Sequence, residues 1–459
     1  MLEANLGKKL LPKYWKELHG EKLLRDVCFL LSVVLSVLLS FSLAISVEAE
    51  ASWVIWSQTY GGTYSDYAEA MVQTSDGGYA LAGSTSSFGA GAFDFWLVKT
   101  DGSGNMEWNQ TYGGTEHDQA YSLVETSDGG YALAGYTSSF GAANGDFWLV
   151  KTDASGNIEW DRTYGGENWE VADSLVETSD GGYAIVGYTH SYEDDDYDAW
   201  LVKTDANGNM EWNQTYKGKN PGSSTNQLLV EASDGGFTLA YATTSSAPYR
   251  ADFRLVKTDA YGNIEWNHTY GGKYRNLAHS LIKTSDGGYA IAGETDSHRA
   301  QSPDFWLIKT DANGNEEWNQ TYGGESVDIA HSLVETSDGG YALAGETHSF
   351  GAGSYDAWLV KTDGTGNIEW SRTYGGESVD EFSSLVETPD GGYVMAGYTT
   401  PIGIYSDMWL VKTNEQGVPE FPSWIILPLF IMVTLVAIII KKRLTQSSSP
   451  KLLSQQSVH

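Results

Sequence analysis

The sequence predicts an all-β fold: a seven-bladed β-propeller of four-stranded antiparallel blades, closed by the N-terminal strand. Two observations predict it. One segment of about fifty residues repeats along most of the 459-residue chain, and the last strand of the repeat is displaced to the beginning of the array. A repeat of about this length that is rich in strand formers is typical of propeller blades and not of helical solenoids.

The period is marked by a tryptophan in the last strand of each unit, at steps of 52 residues with one step of 54. This first set consists of Trp56, Trp108, Trp160, Trp212, Trp266, Trp318 and Trp370. A second set recurs in the third strand: Trp96, Trp148, Trp200, Trp306, Trp358 and Trp409. We interpret both sets as packing between neighbouring blades, since each large ring buries ~150–250 Å². Sugar-stacking platforms are the alternative.

Each unit supplies four strand candidates, seen well in the second unit: SLVETS (122–127), YALAGYT (131–137), DFWLVKTD (146–153) and NIEWDRTY (157–164). The first alternates apolar and polar residues, as a half-buried strand does. The turns Asp-Gly-Gly and Asp-x-x-Gly-Asn join them as tight hairpins, with glycine where a positive φ is needed. Four such strands make one blade.

The displaced strand predicts ring closure. The first three strand types occur seven times, but no fourth strand follows the last WLVKT (409–413). The missing strand is WVIWSQTY (53–60), ahead of the first complete unit. If it pairs with the last blade, no sheet edge stays open.

The charge balance limits the partners. The chain has 60 acidic and 27 basic residues, a formal net charge of −33, and the basic residues are enriched at the two ends. An acidic repeat region repels nucleic acids and acidic polymers, so we expect no nucleic-acid partner. It suits a solvated surface or binding of divalent cations.

The N-terminal segment 1–51 predicts a signal peptide, or alternatively an uncleaved N-terminal anchor. A basic stretch precedes the apolar run Val27–Val47, and Ala49-Glu50-Ala51 is a small-x-small cleavage pattern. The single cysteine, Cys28, lies in this run. The mature propeller, residues 52–417, would then contain no disulfide.

The C-terminal segment 418–443 predicts a sorting motif and one transmembrane helix. Its apolar stretch Trp424–Ile440 is close to the length needed to span a bilayer. The cluster Lys441-Lys442-Arg443 predicts that this end is cytoplasmic. The remaining residues 444–459 are expected to be a disordered tail. Together the two ends predict a membrane-anchored protein with its propeller outside the cell and its C-terminus in the cytoplasm.

Variation among the repeats indicates a binding face. The two glycine turns barely change, whereas the other two connections differ from unit to unit, and up-and-down strand order places both on one rim. Because loops on rigid scaffolds carry function, this variable rim is the candidate ligand site. Its candidate residues are His279 and His331, ahead of first strands, His348, at the start of a variable loop, and Glu294 and Glu346, near the ends of second strands.

These histidines and glutamates have two interpretations. In the first, they form a His/Glu cluster that binds a metal ion. In the second, they are ordinary polar residues of surface loops. The sequence contains no HExxH, no nucleophile elbow and no phosphate-binding glycine loop. Catalysis is therefore less expected than binding, and no catalytic residue or cofactor is predicted.

A calcium site is a further hypothesis for the Asp-x-Asn-Gly-Asn turns. The candidates are Asp205, Asn207 and Asn209 in one turn and Asp311, Asn313 and Asn315 in another. In each turn, side chains with oxygen ligands occur at every second position, as they do in part of a calcium-binding loop. Glycine stands fourth and not sixth, however, and a plain hairpin explains the same residues.

Four N-x-T sequons occupy one position in the repeat, at Asn109, Asn213, Asn267 and Asn319. On an outermost strand they would be accessible to glycosylation. Duplication would also have copied one accidental sequon, so the four are not independent signals.

The motifs SDGGYALAG and WLVKTDxxGN resemble the β-propeller repeats of archaeal cell-surface proteins, especially those of methanogens, over about residues 53–417. KTDxxGNxxW is also similar to part of the pyrroloquinoline-quinone-type propeller repeat, which implies architecture and not quinone binding. Pro419-Glu420-Phe421 before an apolar span and a basic cluster resembles the PEF-type archaeosortase signal. That resemblance implies cleavage and lipid attachment, although this chain continues beyond the basic cluster.

We therefore expect a membrane-tethered extracellular propeller that acts as a surface recognition, adhesion or envelope module, with a glycan or a surface protein as partner. The alternative is an extracellular polysaccharide lyase or hydrolase with its site at the variable mouth.

Overall fold

The computed structural model describes residues 54–142, 145–190, 197–218, 227–244, 251–272, 274–296, 302–400 and 405–414. The predicted signal peptide or anchor, sorting motif, membrane helix and tail lie outside these residues. Within them, no helix is long and apolar enough to cross a membrane.

The described residues form 28 β-strands. Strands in the first half are β1 (Val54–Tyr60), β2 (Asp66–Gln73), β3 (Tyr79–Thr85), β4 (Asp94–Thr100), β5 (Met106–Tyr112), β6 (Asp118–Glu125), β7 (Tyr131–Thr137), β8 (Asp146–Thr152), β9 (Ile158–Tyr164), β10 (Glu170–Glu177), β11 (Tyr183–Thr189), β12 (Asp198–Thr204), β13 (Met210–Tyr216) and β14 (Leu228–Glu231). Those in the second half are β15 (Phe237–Thr244), β16 (Ala251–Thr258), β17 (Ile264–Tyr270), β18 (Asn276–Lys283), β19 (Tyr289–Thr295), β20 (Asp304–Thr310), β21 (Glu316–Tyr322), β22 (Asp328–Glu335), β23 (Tyr341–Thr347), β24 (Asp356–Thr362), β25 (Ile368–Tyr374), β26 (Asp380–Glu387), β27 (Tyr393–Thr399) and β28 (Asp407–Thr413).

These strands form seven four-stranded antiparallel sheets, which are the blades. Six blades consist of consecutive strands, such as β6-β7-β8-β9, and the seventh joins β26, β27 and β28 to β1. The first strands of neighbouring blades contact one another around a full circle, and β26 contacts β2. The predicted seven-bladed propeller and its closure by the N-terminal strand are confirmed.

The core lies between blades. The second-set tryptophans are almost fully buried, and each packs on an aromatic ring of the preceding blade where one is present, as Trp148 does on Phe95 with ring centroids 4.6 Å apart. The first-set tryptophans are half-buried and pack on the next blade, as Trp108 does on Tyr131 at 5.9 Å. Both sets therefore serve packing between blades, as the sequence predicted.

Polar contacts repeat around the ring and lock each blade to the next. The hydroxyl of Tyr112 donates to the carbonyl of Gly156 in the following blade at 2.7 Å. Gly156 has a φ of 78°, and a side chain there would collide with Trp108. This turn therefore requires glycine for two reasons, its left-handed backbone and the ring above it.

In six of the seven blades the first strand begins earlier than the alternation of residues indicated, whereas β14 of the fourth blade begins at Leu228, the position of Ser122 in the second blade. In the second blade it starts at Asp118 and not near residue 122, and it contains a register shift between Ala120 and Ser122. The extra residue, Tyr121, is a β-bulge. A bulge interrupts the two-residue alternation of apolar and polar side chains. The segment before the bulge was therefore not predicted to be part of the strand.

Candidate functional site in the central channel

A cavity of about 330 Å³ lies among the seven first strands, on the axis of the ring. Six of those strands carry a bulge, and the bulged residue lines the cavity in each: Glu69, Tyr121, Asp173, His279, His331 and Ser383. A bulge re-aims one side chain out of the alternating pattern of its strand. One repeat position therefore supplies six side chains of five different types to a common space.

A small residue follows each bulge, and three of these residues, all serines, link neighbouring blades by hydrogen bonds. The backbone N–H of Leu175 donates to the hydroxyl of Ser122 in the preceding blade at 3.1 Å, and Leu385 donates likewise to Ser332. The N–H of Met71 donates to Ser384 at 3.2 Å, which makes the same link across the closure. The bulged side chains are thus displayed from a hydrogen-bonded ring of strands.

One half of the channel is aromatic. Tyr121 stacks on Tyr136 with centroids 6.2 Å apart, and Tyr136 contacts Trp169 at 5.3 Å. The indole N–H of Trp169 donates to the hydroxyl of Tyr188. Asp173 lies beside this group, where burial holds the pKa of its carboxyl well above the usual range. Flat rings next to a hydrogen-bonding carboxyl group suit the faces and hydroxyls of a sugar.

The other half contains imidazoles and carboxyl groups from blades five to seven. The rings of His279 and His331 are 5.5 Å apart. His331 Nε2 lies 3.4 Å from Glu381 Oε1, and His279 Nε2 lies 3.9 Å from Glu294 Oε1. His331, Glu346 and Glu381 each offer a ligand atom within 4.8 Å of the other two. We refer to His279, His331, Glu294, Glu346 and Glu381 as the His/Glu cluster.

Three groups of this cluster, Glu346, His331 and Glu294, have shifted pKa values. Burial raises the pKa of Glu346 to about 8, and the charges of Glu381 and Glu294 add to that effect. Burial also lowers the pKa of His331, although Glu381 opposes it. For Glu294, burial favours the neutral acid, but His279 and the guanidinium of Arg275 outweigh it and lower the pKa. The cluster therefore contains two interacting carboxyl groups, those of Glu346 and Glu294, whose pKa values are shifted in opposite directions.

The structure brings four of the five predicted ligand residues together. His279, His331, Glu294 and Glu346 all belong to the cluster, whereas His348 starts a rim loop, its N–H bonded to the carbonyl of Val327. The expected position of two of them was wrong. His279 and His331 lie inside β18 and β22, at the bulges, and not ahead of the strands.

Sequence reasoning missed Glu69, Tyr121, Asp173 and Glu381. Glu69, Tyr121 and Asp173 stand six residues before the Ser-Asp-Gly-Gly turn of their own repeat, the same position as His279 and His331. Stacking the repeats on that turn would have shown one position at which the residue type changes in almost every blade. That variation is visible in the sequence, but the bulge that turns the residue at this position into the channel was not predicted.

Both variable connections lie on one rim, as predicted from strand order. They also contact each other between blades: the N–H of Asp118 donates to the carbonyl of Phe93 at 2.8 Å, and Phe93 pairs with His117 in a parallel bridge. Glu294 and Glu346 stand one residue before the rim ends of β19 and β23, and Glu381 one residue after the rim end of β26. The cluster therefore lies just beneath the variable rim.

The candidate calcium turns lie at the opposite ends of the strands, and their polar groups are bonded within the turn. Asp205 accepts the N–H groups of Asn207 and Asn209 at 2.8 Å and also the side-chain amide of Asn209. The second candidate turn repeats these bonds through Asp311, Asn313 and Asn315. The hairpin interpretation accounts for every one of these residues, and calcium binding here stays a prediction.

The sequon asparagines lie on the fourth strands, and three of them have a structural role. Asn109, Asn213 and Asn319 accept the indole N–H of the second-set tryptophan in their own blade, at 3.1 to 3.4 Å. Asn267, in the blade where Arg254 replaces that tryptophan, is exposed. Glycosylation at these positions stays a prediction.

Comparison with known proteins gives neither a family nor a function for this chain. No family model matches the chain. The regulatory protein FlaEY of Caulobacter vibrioides is 27% identical over an alignment that covers 32% of this chain, and the chain spans only 18% of that protein's length. Among solved structures, the Pan2 WD40 domain of Neurospora crassa matches with a TM-score of 0.47 and 10% identity, covering 75% of this chain and 89% of that one.

A polysaccharide lyase of family PL25, an ulvan lyase, also matches with a TM-score of 0.47 and 10% identity, covering 78% of this chain and 96% of that one. A protein of unknown function from Dyadobacter fermentans matches with a TM-score of 0.43 and 11% identity, covering 79% and 98%. No activity is inferred from likeness at this level.

Proposed function

We propose that this chain is a recognition module that binds its ligand at the rim-side mouth of the central channel. The observation that carries the proposal is the contrast between the two ends of the channel strands. On one side, nearly identical turns bond their own polar groups. On the other, six side chains of five different types meet in a cavity beneath loops that differ from blade to blade. A purely structural ring would need no such diversity.

The two halves of the channel suggest the ligand class. Tyr121 and Trp169, which are partly buried and pack on the buried ring of Tyr136, provide ring faces, and the carboxyl groups of Asp173 and Glu69 provide hydrogen-bond partners. This combination suits a neutral or amine-bearing glycan. The net charge of −33 opposes an acidic one.

A glycan array of neutral, amine-bearing and acidic sugars tests the proposal, with the full chain purified in detergent. Changing His279 and His331 together to Ala should weaken binding at least ~10-fold, about 1.4 kcal/mol, with little change in melting temperature. Asn207→Ser, on the opposite side, is the matched control and should leave affinity unchanged. If the control abolishes binding and the channel variant does not, the binding face is on the other side.

We further propose that the propeller is displayed outside the cell and tethered by the C-terminal segment. The basic cluster after the apolar stretch and the resemblance to archaeal surface repeats with a PEF-type signal support this. Protease added to intact cells should remove the blades, while a tag at residue 459 stays protected. Blades that resist protease until the cells are lysed would contradict this topology.

One observation favours an enzyme as the second candidate. Glu346 and Glu294 are neighbouring carboxyl groups whose pKa values are shifted in opposite directions. Such a pair is what acid–base cleavage of a polysaccharide by a lyase or hydrolase requires. Incubation with glycans that bind on the array should then release shorter products, and Glu346→Gln should stop their release without loss of binding. If the bound glycans remain intact, the enzyme proposal is wrong and only the recognition proposal stands.

A further inference from the structure

We propose that the His/Glu cluster binds one divalent transition-metal ion, with His331 Nε2 and the carboxylates of Glu346 and Glu381 as ligands. This inference does not depend on the proposed glycan binding, because it concerns the ion alone.

The first argument is the separation of the donor atoms. In a zinc site, Zn–N and Zn–O distances near 2.0–2.2 Å place ligand atoms about 3.0–3.6 Å from one another. The donors of His331, Glu346 and Glu381 lie within 4.8 Å of each other. His331 Nε2 and Glu381 Oε1, at 3.4 Å, are already at the spacing that a shared ion imposes. Small side-chain rotations of Glu346 would complete the set.

The second argument is that buried donor atoms in the cluster have no hydrogen-bond partner. These atoms are His331 Nε2, His279 Nε2 and the Oε2 atom of Glu294. The side chains of His279 and Glu294 are only 8% and 2% exposed. Buried polar atoms are normally paired, and leaving one unpaired costs about 1–3 kcal/mol. A metal ion next to these atoms removes that cost.

The third argument is that the surrounding groups orient the ligands. The hydroxyl of Tyr398 donates to Glu381 Oε2 at 2.6 Å, which leaves Oε1 directed at His331. Arg275 lies 3.1 Å from Glu294 Oε1 and holds that carboxylate beside His279. Metal ligands in proteins are typically fixed in this way by a second layer of polar contacts. His279, whose ring centroid lies 5.5 Å from that of His331, borders this set of ligands.

The fourth argument is charge. Glu294, Glu346 and Glu381 form a group of acidic side chains in a narrow space, with Glu69 close enough to Glu381 for their charges to interact. A divalent cation offsets their repulsion. The presence of imidazole selects the metal, because Ca²⁺ and Mg²⁺ prefer oxygen ligands whereas Zn²⁺, Mn²⁺, Fe²⁺ and Co²⁺ accept nitrogen and oxygen together.

The test is metal binding by the full chain, purified in detergent through a histidine-free tag and stripped with chelator. Titration calorimetry with Zn²⁺, Mn²⁺ and Ca²⁺ should show one site per chain for a transition metal and much weaker binding of Ca²⁺. Co²⁺ should give a visible absorption band that reports imidazole and carboxylate ligation. Equal binding of Ca²⁺ and Zn²⁺, or no stoichiometric binding, would overturn the proposal.

Variants locate the site. Glu381→Gln and His331→Gln keep the side-chain volume and should each weaken Zn²⁺ binding by ~10–100-fold, with the Co²⁺ band lost or shifted. His268→Ala, on the outer strand β17, is the matched control and should bind as the parent protein does. Melting curves of the metal-free variants identify any that fail to fold, and Glu346→Gln then serves as the second ligand variant. Unchanged affinity in folded ligand variants would place the ion elsewhere.

Discussion

The indole N–H of Trp409 donates a 2.8 Å hydrogen bond to the hydroxyl of Ser57, a residue 352 positions earlier in the chain. Ser57 belongs to β1 and Trp409 to β28, so this bond crosses the seam where the ring closes. In other blades the same bond is made within one repeat, from Trp96 to Asn109 for example. The seam therefore reproduces the contacts of an ordinary blade with residues from the two ends of the array.

Removal of β1 should open the seam. Deleting residues 54–60 leaves β28 as an unpaired edge and removes the packing of Trp56, so we expect a loss of several kcal/mol, on the order of 3–5, in the free energy of unfolding. Thermal or urea melting of the full chain in detergent measures it. Ser57→Ala removes only the hydrogen bond to Trp409 and should cost roughly 1 kcal/mol. Equal melting temperatures for the deletion and the parent would show that β1 does not close the ring.

The hydroxyl of Tyr112 should contribute to the attachment of one blade to the next. Tyr112→Phe leaves the carbonyl of Gly156 without its donor and should cost about 0.5–1.5 kcal/mol. Tyr322 makes the same bond to Gly366 at 2.8 Å in a distant pair of blades. The two Phe substitutions should therefore add. Tyr261→Phe, at an exposed turn, is the control, and an equal loss there would rule out a specific role for the bond.

Ion triads behind the Asp-Gly-Gly turns predict loss of stability in acid. The buried ammonium of Lys99 contacts Asp76 at 2.8 Å and Glu107 at 2.9 Å. The hydrogen bond from Lys99 lowers the pKa of Asp76 to about 2, as equivalent lysines do for Asp286 and Asp390. A carboxyl group with a lowered folded-state pKa stabilises the folded protein at pH values above its unfolded-state pKa, near 4. This stabilisation is lost as the pH falls toward 2.

The triple substitution of Asp76, Asp286 and Asp390 by Asn should therefore flatten the decline in melting temperature between about pH 4 and 2. It should also lower the melting temperature at pH 7, because Lys99 and Lys309, which are buried, and Lys412, which is 14% exposed, each lose a partner. A triple variant that retains the steep acid limb of the parent would assign acid unfolding to other carboxyl groups.

Asp173 should have the opposite pH dependence. Burial holds its folded-state pKa well above the usual range, so its contribution to stability is full below about pH 4 and is lost as pH rises through the folded-state value. Asp173→Asn keeps an oxygen to accept the N–H of Gln227, 3.1 Å away, and should be more stable than the parent protein at neutral pH. Melting temperatures from pH 4 to 9 test this. Glu116→Gln, on the exposed rim, should leave the curve unchanged, and a matching gain there would show a general charge effect.

Much of this molecule follows from local patterns. The period of the tryptophans, the hairpin turns and the displaced strand predicted the blade, the number of blades and the pairing of β1 with β28. These features can be predicted from the sequence because each depends on residues close in sequence or on a count of repeats. Gly129 and Gly156 mark their turns through a left-handed backbone, with φ values of 84° and 78°.

The His/Glu cluster depends on the tertiary structure. His279, His331 and Glu381 are about fifty residues apart in sequence, and only ring closure of the blades brings them to one channel. The direction of His279 and His331 is set by bulges, where one inserted residue shifts the register and turns a side chain out of the alternation that sequence reading relies on. The sequence by itself determined the propeller and the diversity of one rim. The folded ring decided which of those diverse residues meet, because the first strands of all seven blades share the axis.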